Sequence, residues 1–112
     1  MLYQVAIIAI VLVKRKIYQM KKFIVERKLP GAGNMTTEEL QAISKTSVAV
    51  ITVLGKPYKW EMSFVTDDAI YCIHEAEDEN AIREHAKCGN FPVNKIEEIR
   101  AVIDPTTAES DN

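Results

Sequence analysis

Apolar and polar positions alternate with a period of two over 22–28 (KFIVERK). Phe23 and Val25 fall on one side, Ile24 and Glu26 on the other. This predicts a strand with both faces partly covered. Pro30, Gly31 and Gly33 end it in a loop. Thr36-Thr37-Glu38-Glu39 has the form of a capping box: the Thr36 hydroxyl accepts from the Glu39 amide, and the Glu39 carboxylate reaches back to the amide of Thr36. The apolar period then lengthens. Leu40, Ile43, Ser47, Ile51 and Leu54 recur at spacings of three and four, so they share one face of a helix that Gly55 terminates. Val48, Val50 and Val53 widen that surface. β-branched residues are mediocre helix formers, so the second half also has strand character, but the glycine stop favours the helix.

Strict alternation returns at 58–66 (YKWEMSFVT), with Tyr58, Trp60, Met62 and Phe64 on one face and Lys59, Glu61, Ser63 and Val65 on the other. Asp67-Asp68 makes a tight turn. Residues 69–75 (AIYCIHE) run back, with Ile70, Cys72 and His74 on one face and Tyr71 and Ile73 on the other; the two runs form a hairpin. Asp78 caps a second helix over 79–88, ended by Gly89, with an inner stripe of Ala81 or Ile82, then His85, then Cys88. A final strand is predicted over 96–103, stopped by Asp104-Pro105, before a polar, flexible tail at 107–112. The order β-α-β-β-α-β is the ferredoxin-like α+β sandwich. Its two helices cover one sheet face. The other face keeps large apolar residues, for which a second copy, pairing as a dimeric α+β barrel, is the simplest cover.

The predicted domain occupies residues 20–106. Residues 1–19 are an apolar N-terminal extension. The run from Leu2 to Val13 spans about 18 Å as a helix, short of the roughly 30 Å hydrocarbon core. No positive side chain precedes it and no small-x-small cleavage site follows it, unlike a secretory signal. Met20-Lys21-Lys22-Phe23 reads as a start feeding directly into the first strand. The extension is then upstream sequence translated from a misplaced start; a membrane-associating helix and an extra packed helix are the alternatives. Net charge is −2, from 14 basic and 16 acidic residues. Setting Lys14, Arg15 and Lys16 aside leaves 11 basic against 16 acidic, a net of −5 for the domain, which disfavours a phosphate backbone as partner. Two cysteines do not make a disulfide scaffold; they read as reduced thiols of a cytoplasmic protein.

A series of short motifs carries a resemblance. Val25-Glu26-Arg27, Leu29-Pro30-Gly31, Trp60, Ser63, Tyr71-Cys72, Ile82-Arg83-Glu84-His85-Ala86, Gly89-x-x-Pro92 and Ile103-Asp104-Pro105 occur in that order. Together they resemble a family of small bacterial domains of unknown function, one branch of which is described as nickel-binding protein. The resemblance runs over about residues 20–108. It implies a ferredoxin-like fold, a homodimer and nickel or another divalent transition metal as ligand. Phe64 stands where that family usually has tyrosine, and His74 is unusual for it.

Several residues can carry chemistry. His85, in the stripe of the second helix, can be a general base, a metal ligand or a hydrogen-bonded core residue. His85-x-x-Cys88 sets an imidazole and a thiol one turn apart, a spacing that suits nickel, zinc or copper, although two donors are half a site and Cys88 equally serves as a small buried hydrophobe. Cys72 and His74 share a strand face, read here as part of a dimer interface rather than as a metal pair. Glu26, aimed across the helix–sheet layer, would join His85 as an acid–base or metal-binding pair; otherwise it pairs with Arg27, Arg83 or Arg100. Trp60, Tyr71 and Ser63 are candidates to line a ligand cavity, and the aromatics equally suit a core. No phosphate loop, nucleophile elbow, CxxC or HExxH is present, so no nucleotide cofactor is expected. Three readings follow: a dimeric metal- or ligand-binding module, a cofactor-free α+β barrel enzyme using a histidine base, and a purely regulatory or structural dimer.

Overall fold

A computed structural model describes residues 20–109; the extension at 1–19 and the end of the tail lie outside them. The elements are β1 (Lys21–Lys28), α1 (Thr37–Leu54), β2 (Tyr58–Val65), β3 (Ala69–Ala76), α2 (Glu79–Gly89) and β4 (Lys95–Glu98). The sheet order is β2-β3-β1-β4 and every pairing is antiparallel, which is the ferredoxin-like arrangement. Among the described residues no helix is long and apolar enough to cross a membrane.

Local chemistry accounts for the element ends. The Thr36–Glu39 capping box forms, with the Glu39 amide donating to Thr36 Oγ1 at 3.1 Å and the Thr36 amide to Glu39 Oε1 at 3.2 Å. The β-branched half of α1 stays helical up to Gly55, which takes the left-handed conformation that stops it. Asp78 caps α2 by accepting from the Ala81 amide at 2.9 Å. The end of α2 differs by one residue from expectation. Gly89 remains helical and Asn90 adopts the left-handed geometry at φ 56°, a conformation asparagine tolerates. Gly89 is required for room: a Cβ there would collide with the Phe91 ring, which folds back over the helix end.

Two strand predictions need correction. β2 does not alternate throughout. A bulge at Glu61 shifts the register between Trp60, opposite His74, and Met62, opposite Ile73. Two residues on the bulged strand then oppose one on its partner, and everything beyond changes face. Ser63 and Val65 join Trp60 on the helix side, while Met62 and Phe64 turn to the open side. β4 stops at Glu98 rather than Ile103. Among the described residues it pairs with β1 alone, Phe23 opposite Glu98, so beyond Arg100 the register would need partners ahead of the first residue of β1. Val102 and Ile103 are accordingly exposed. Residues Pro105–Glu109 form a 3-10 turn.

The core lies between the sheet and α2. Val25, Ile82, His74 and His85 are the largest fully buried side chains, packed with Phe23, Ile70 and Cys72. α1 contributes less: of its residues only Ser47 and Val50 are buried.

Candidate functional site

The inward positions of β1 are Phe23, Val25 and Arg27. Those of β3 are Ile70, Cys72 and His74. With the bulge, β2 adds Tyr58, Trp60 and Ser63 to the same side. α2 turns Ala81, Ile82, His85 and Ala86 down onto them. Between this layer and α1 a half-open cavity of about 200 Å³ remains. Its apolar wall includes Leu29, Leu40, Ile43, Trp60 and Ile70, and its polar lining includes Arg27, Ser47, Ser63, Cys72, His74 and His85. A mostly apolar concavity with a few convergent polar groups is the usual form of a small-ligand site.

The two histidines sit side by side, ring centroids 5.2 Å apart. Tyr58 stacks on His85 at 5.0 Å and meets His74 edge-on at 5.3 Å; Phe91 covers the other side of His85 at 5.5 Å. His85 Nε2 and the Ser47 hydroxyl share a hydrogen bond of 3.1 Å. The Nδ1 atoms of both histidines and the Tyr58 hydroxyl are buried without a hydrogen-bond partner. Burial disfavours the charged imidazole, and each ring also feels the positive Arg27. His74 is held down to about 3, first by desolvation and then by His85 and Arg27; His85 is held down to about 4, by desolvation and Arg27 against the opposing Ser47 bond. At neutral pH both rings are therefore neutral, with lone pairs available. Burial raises the Tyr58 hydroxyl above its ordinary value, so it stays protonated.

Arg27 is itself buried, at 5% exposure. Its Nε–H donates to Cys72 Sγ at 3.4 Å and its Nη1–H to the Pro92 carbonyl at 2.9 Å, and its guanidinium lies over the Phe91 ring at 5.3 Å.

The candidates from sequence divide. Trp60 and Ser63 meet in the cavity, the indole Nε1–H donating to Ser63 Oγ at 2.9 Å; His85 lines the same cavity. Tyr71 points to the opposite sheet face, as does Glu26, because Val25 and Arg27 on either side of it turn inward. Glu26 therefore does not pair with His85, and among the described residues no carboxylate lines the cavity. Cys88 is exposed: at about 100° per residue it falls outside the buried Ala81–Ile82–His85–Ala86 face. The Cys72–His74 face is interior to the fold, covered by the helices, and is not the outer sheet face. Sequence reasoning did not single out Arg27, Ser47 or Phe91. Arg27 continues the Phe23–Val25 alternation, and Ser47 is the polar position in the stripe of α1; both signals were present.

No curated protein matches the chain. The crystal structure of SCO4226 from Streptomyces coelicolor A3(2) superposes with a TM-score of 0.63 at 16% identity, covering 73% of this chain and 99% of that one. That likeness supports the fold. Residues 23–99 match the family described as nickel responsive protein SCO4226-like, and the match spans more than half of the sequence. The chain belongs to the SCO4226-like family of nickel responsive proteins.

Proposed function

We propose that this protein is a small binding module whose ligand occupies the cavity between α1 and the sheet. The carrying observation is the mostly apolar cavity onto which Arg27, Ser47, Ser63 and two neutral imidazoles converge. A few polar groups converging on an apolar concavity is the arrangement that orients a small ligand. A second reading takes nickel(II) as that ligand. The family description favours it, and Cys72, His74 and His85 are donor types that suit the ion. Among the described residues, no three His, Cys, Asp or Glu side chains stand close enough to close a metal site. Binding nickel would therefore require side-chain rearrangement, and Arg27 would have to leave the Cys72 sulfur.

Calorimetric titration of nickel(II) into the untagged protein, repeated on His85→Ala and Cys72→Ser, tests the metal reading. Micromolar or tighter binding that is lost in both variants is the expected result if nickel is the ligand. Heats no larger than those of dilution remove nickel and leave the cavity to another ligand.

The pairing of two copies belongs to the same proposal. On the sheet face away from the helices, Met62 and Phe64 are half exposed beside the partly buried Ile24, Tyr71 and Ile73. A second copy laid on this face would remove that apolar surface from water. Sedimentation should give a dimer at micromolar concentration, and Phe64→Glu should shift it to monomer. A wild-type monomer at tens of micromolar would refute the pairing.

A further inference from the structure

We propose that the ligand of this cavity is a small amphipathic anion, a carboxylic acid with a compact apolar body whose carboxylate pairs with Arg27. The inference rests on the cavity being the binding site and adds the chemical class of its occupant.

Arg27 carries it. A guanidinium is charged at any working pH and offers five N–H donors. Here it is almost wholly buried and lines the cavity. The two acceptors it meets are Cys72 Sγ and the Pro92 carbonyl, neither of them a carboxylate, and Phe91 offers only its ring face. The ion pairs of the described residues join other basic side chains to the acids, and none involves Arg27. A buried guanidinium without a carboxylate partner is costly, and such charges are ordinarily paired. The planar fork of arginine matches a carboxylate in two parallel hydrogen bonds, so an anionic headgroup would use the donors that remain.

The rest of the lining agrees. With no carboxylate among the described lining residues, Arg27 leaves the cavity positive, which attracts an anion. Leu29, Leu40, Ile43, Trp60 and Ile70 surround the remaining space with apolar surface. Inorganic phosphate would leave that surface unfilled, whereas a carboxylate on a hydrocarbon or aromatic body uses both parts. The volume, about 200 Å³, lies below the roughly 300–1,000 Å³ of drug-sized sites, so the body is small.

Benzoate and its uncharged isostere benzamide, and hexanoate with hexanamide, form the probes. Each is titrated into the full chain with a chelator present, so that metal plays no part. Binding is followed by the NMR shifts of the Trp60 indole N–H and the His85 ring. At least one acid is expected to bind ten-fold or more tighter than its amide, with both reporters moving. Arg27→Met should abolish that preference. Because removing Arg27 can affect folding, the acid–amide comparison on the unaltered protein decides independently. Acids and amides binding equally would overturn the anion assignment and leave the cavity as a binding site. If no probe moves either reporter at millimolar concentration, both the assignment and the cavity reading fall.

Discussion

Between pH 6.5 and 4 the protein is expected to lose stability at about 1.4 kcal/mol per pH unit for each of its two buried histidines. In the unfolded chain each imidazole titrates near its ordinary 6.5. In the fold, His85 is held to about 4 and His74 to about 3. Within that window the unfolded chain binds protons that the folded chain refuses, so acid pulls the equilibrium toward unfolding. The contribution is full above pH 6.5 and is lost progressively as the pH falls toward the folded values. Urea unfolding at pH 7, 6, 5 and 4 reads the slope. Carboxylates also titrate at the acid end, so the decisive comparison is His74→Leu. That variant removes a buried imidazole with an unpartnered Nδ1 and fills similar space with apolar atoms. It should be at least as stable as the wild type at pH 7 and lose stability with a slope shallower by about one histidine. Identical slopes in the two proteins would mean that His74 accepts a proton in the folded state and that its desolvation is misjudged.

Ile82→Ala is expected to cost about 2–5 kcal/mol, a large part of the roughly 5–15 kcal/mol that holds such a domain together. Ile82 is fully buried, on the face of α2 that meets Val25, Phe23 and Cys72. α2 is the helix that seals the core, whereas the inner face of α1 borders the cavity and leaves space beneath it. Neighbours of Ile82 are therefore close on every side and cannot collapse fully into the gap. Ile103→Ala is the control: the same deletion at a position 78% exposed should change stability by less than about 0.5 kcal/mol. Chemical denaturation of both variants measures the contrast. Similar small effects in the two would place the core elsewhere than between α2 and the sheet.

The one-dimensional pattern was enough for the element order, both helix caps, the Gly55 stop, the hairpin and the ferredoxin-like topology. Each of these depends on residues a few positions apart: a capping box spans four residues, a helical stripe repeats every three or four, and an alternating strand repeats every two. His85 was legible for the same reason, as a polar residue in an apolar stripe. The composition of the cavity was not. One extra residue at Glu61 reverses the face of everything after it in β2, and alternation looks unbroken on either side of such a bulge. This is why Ser63 was placed away from Trp60, although their side chains are hydrogen-bonded. Glu26 and Arg27 are adjacent, and only the docking of the helices on one face of the sheet decides which of them is buried. Cys88 lies one helical turn from His85, yet the angle at which α2 meets the sheet leaves it outside. Local spacing sets what each segment can become. Which face each segment buries, and therefore whether an arginine or a glutamate stands beside the two histidines, is decided by long-range strand pairing and helix docking, which no short window of sequence contains.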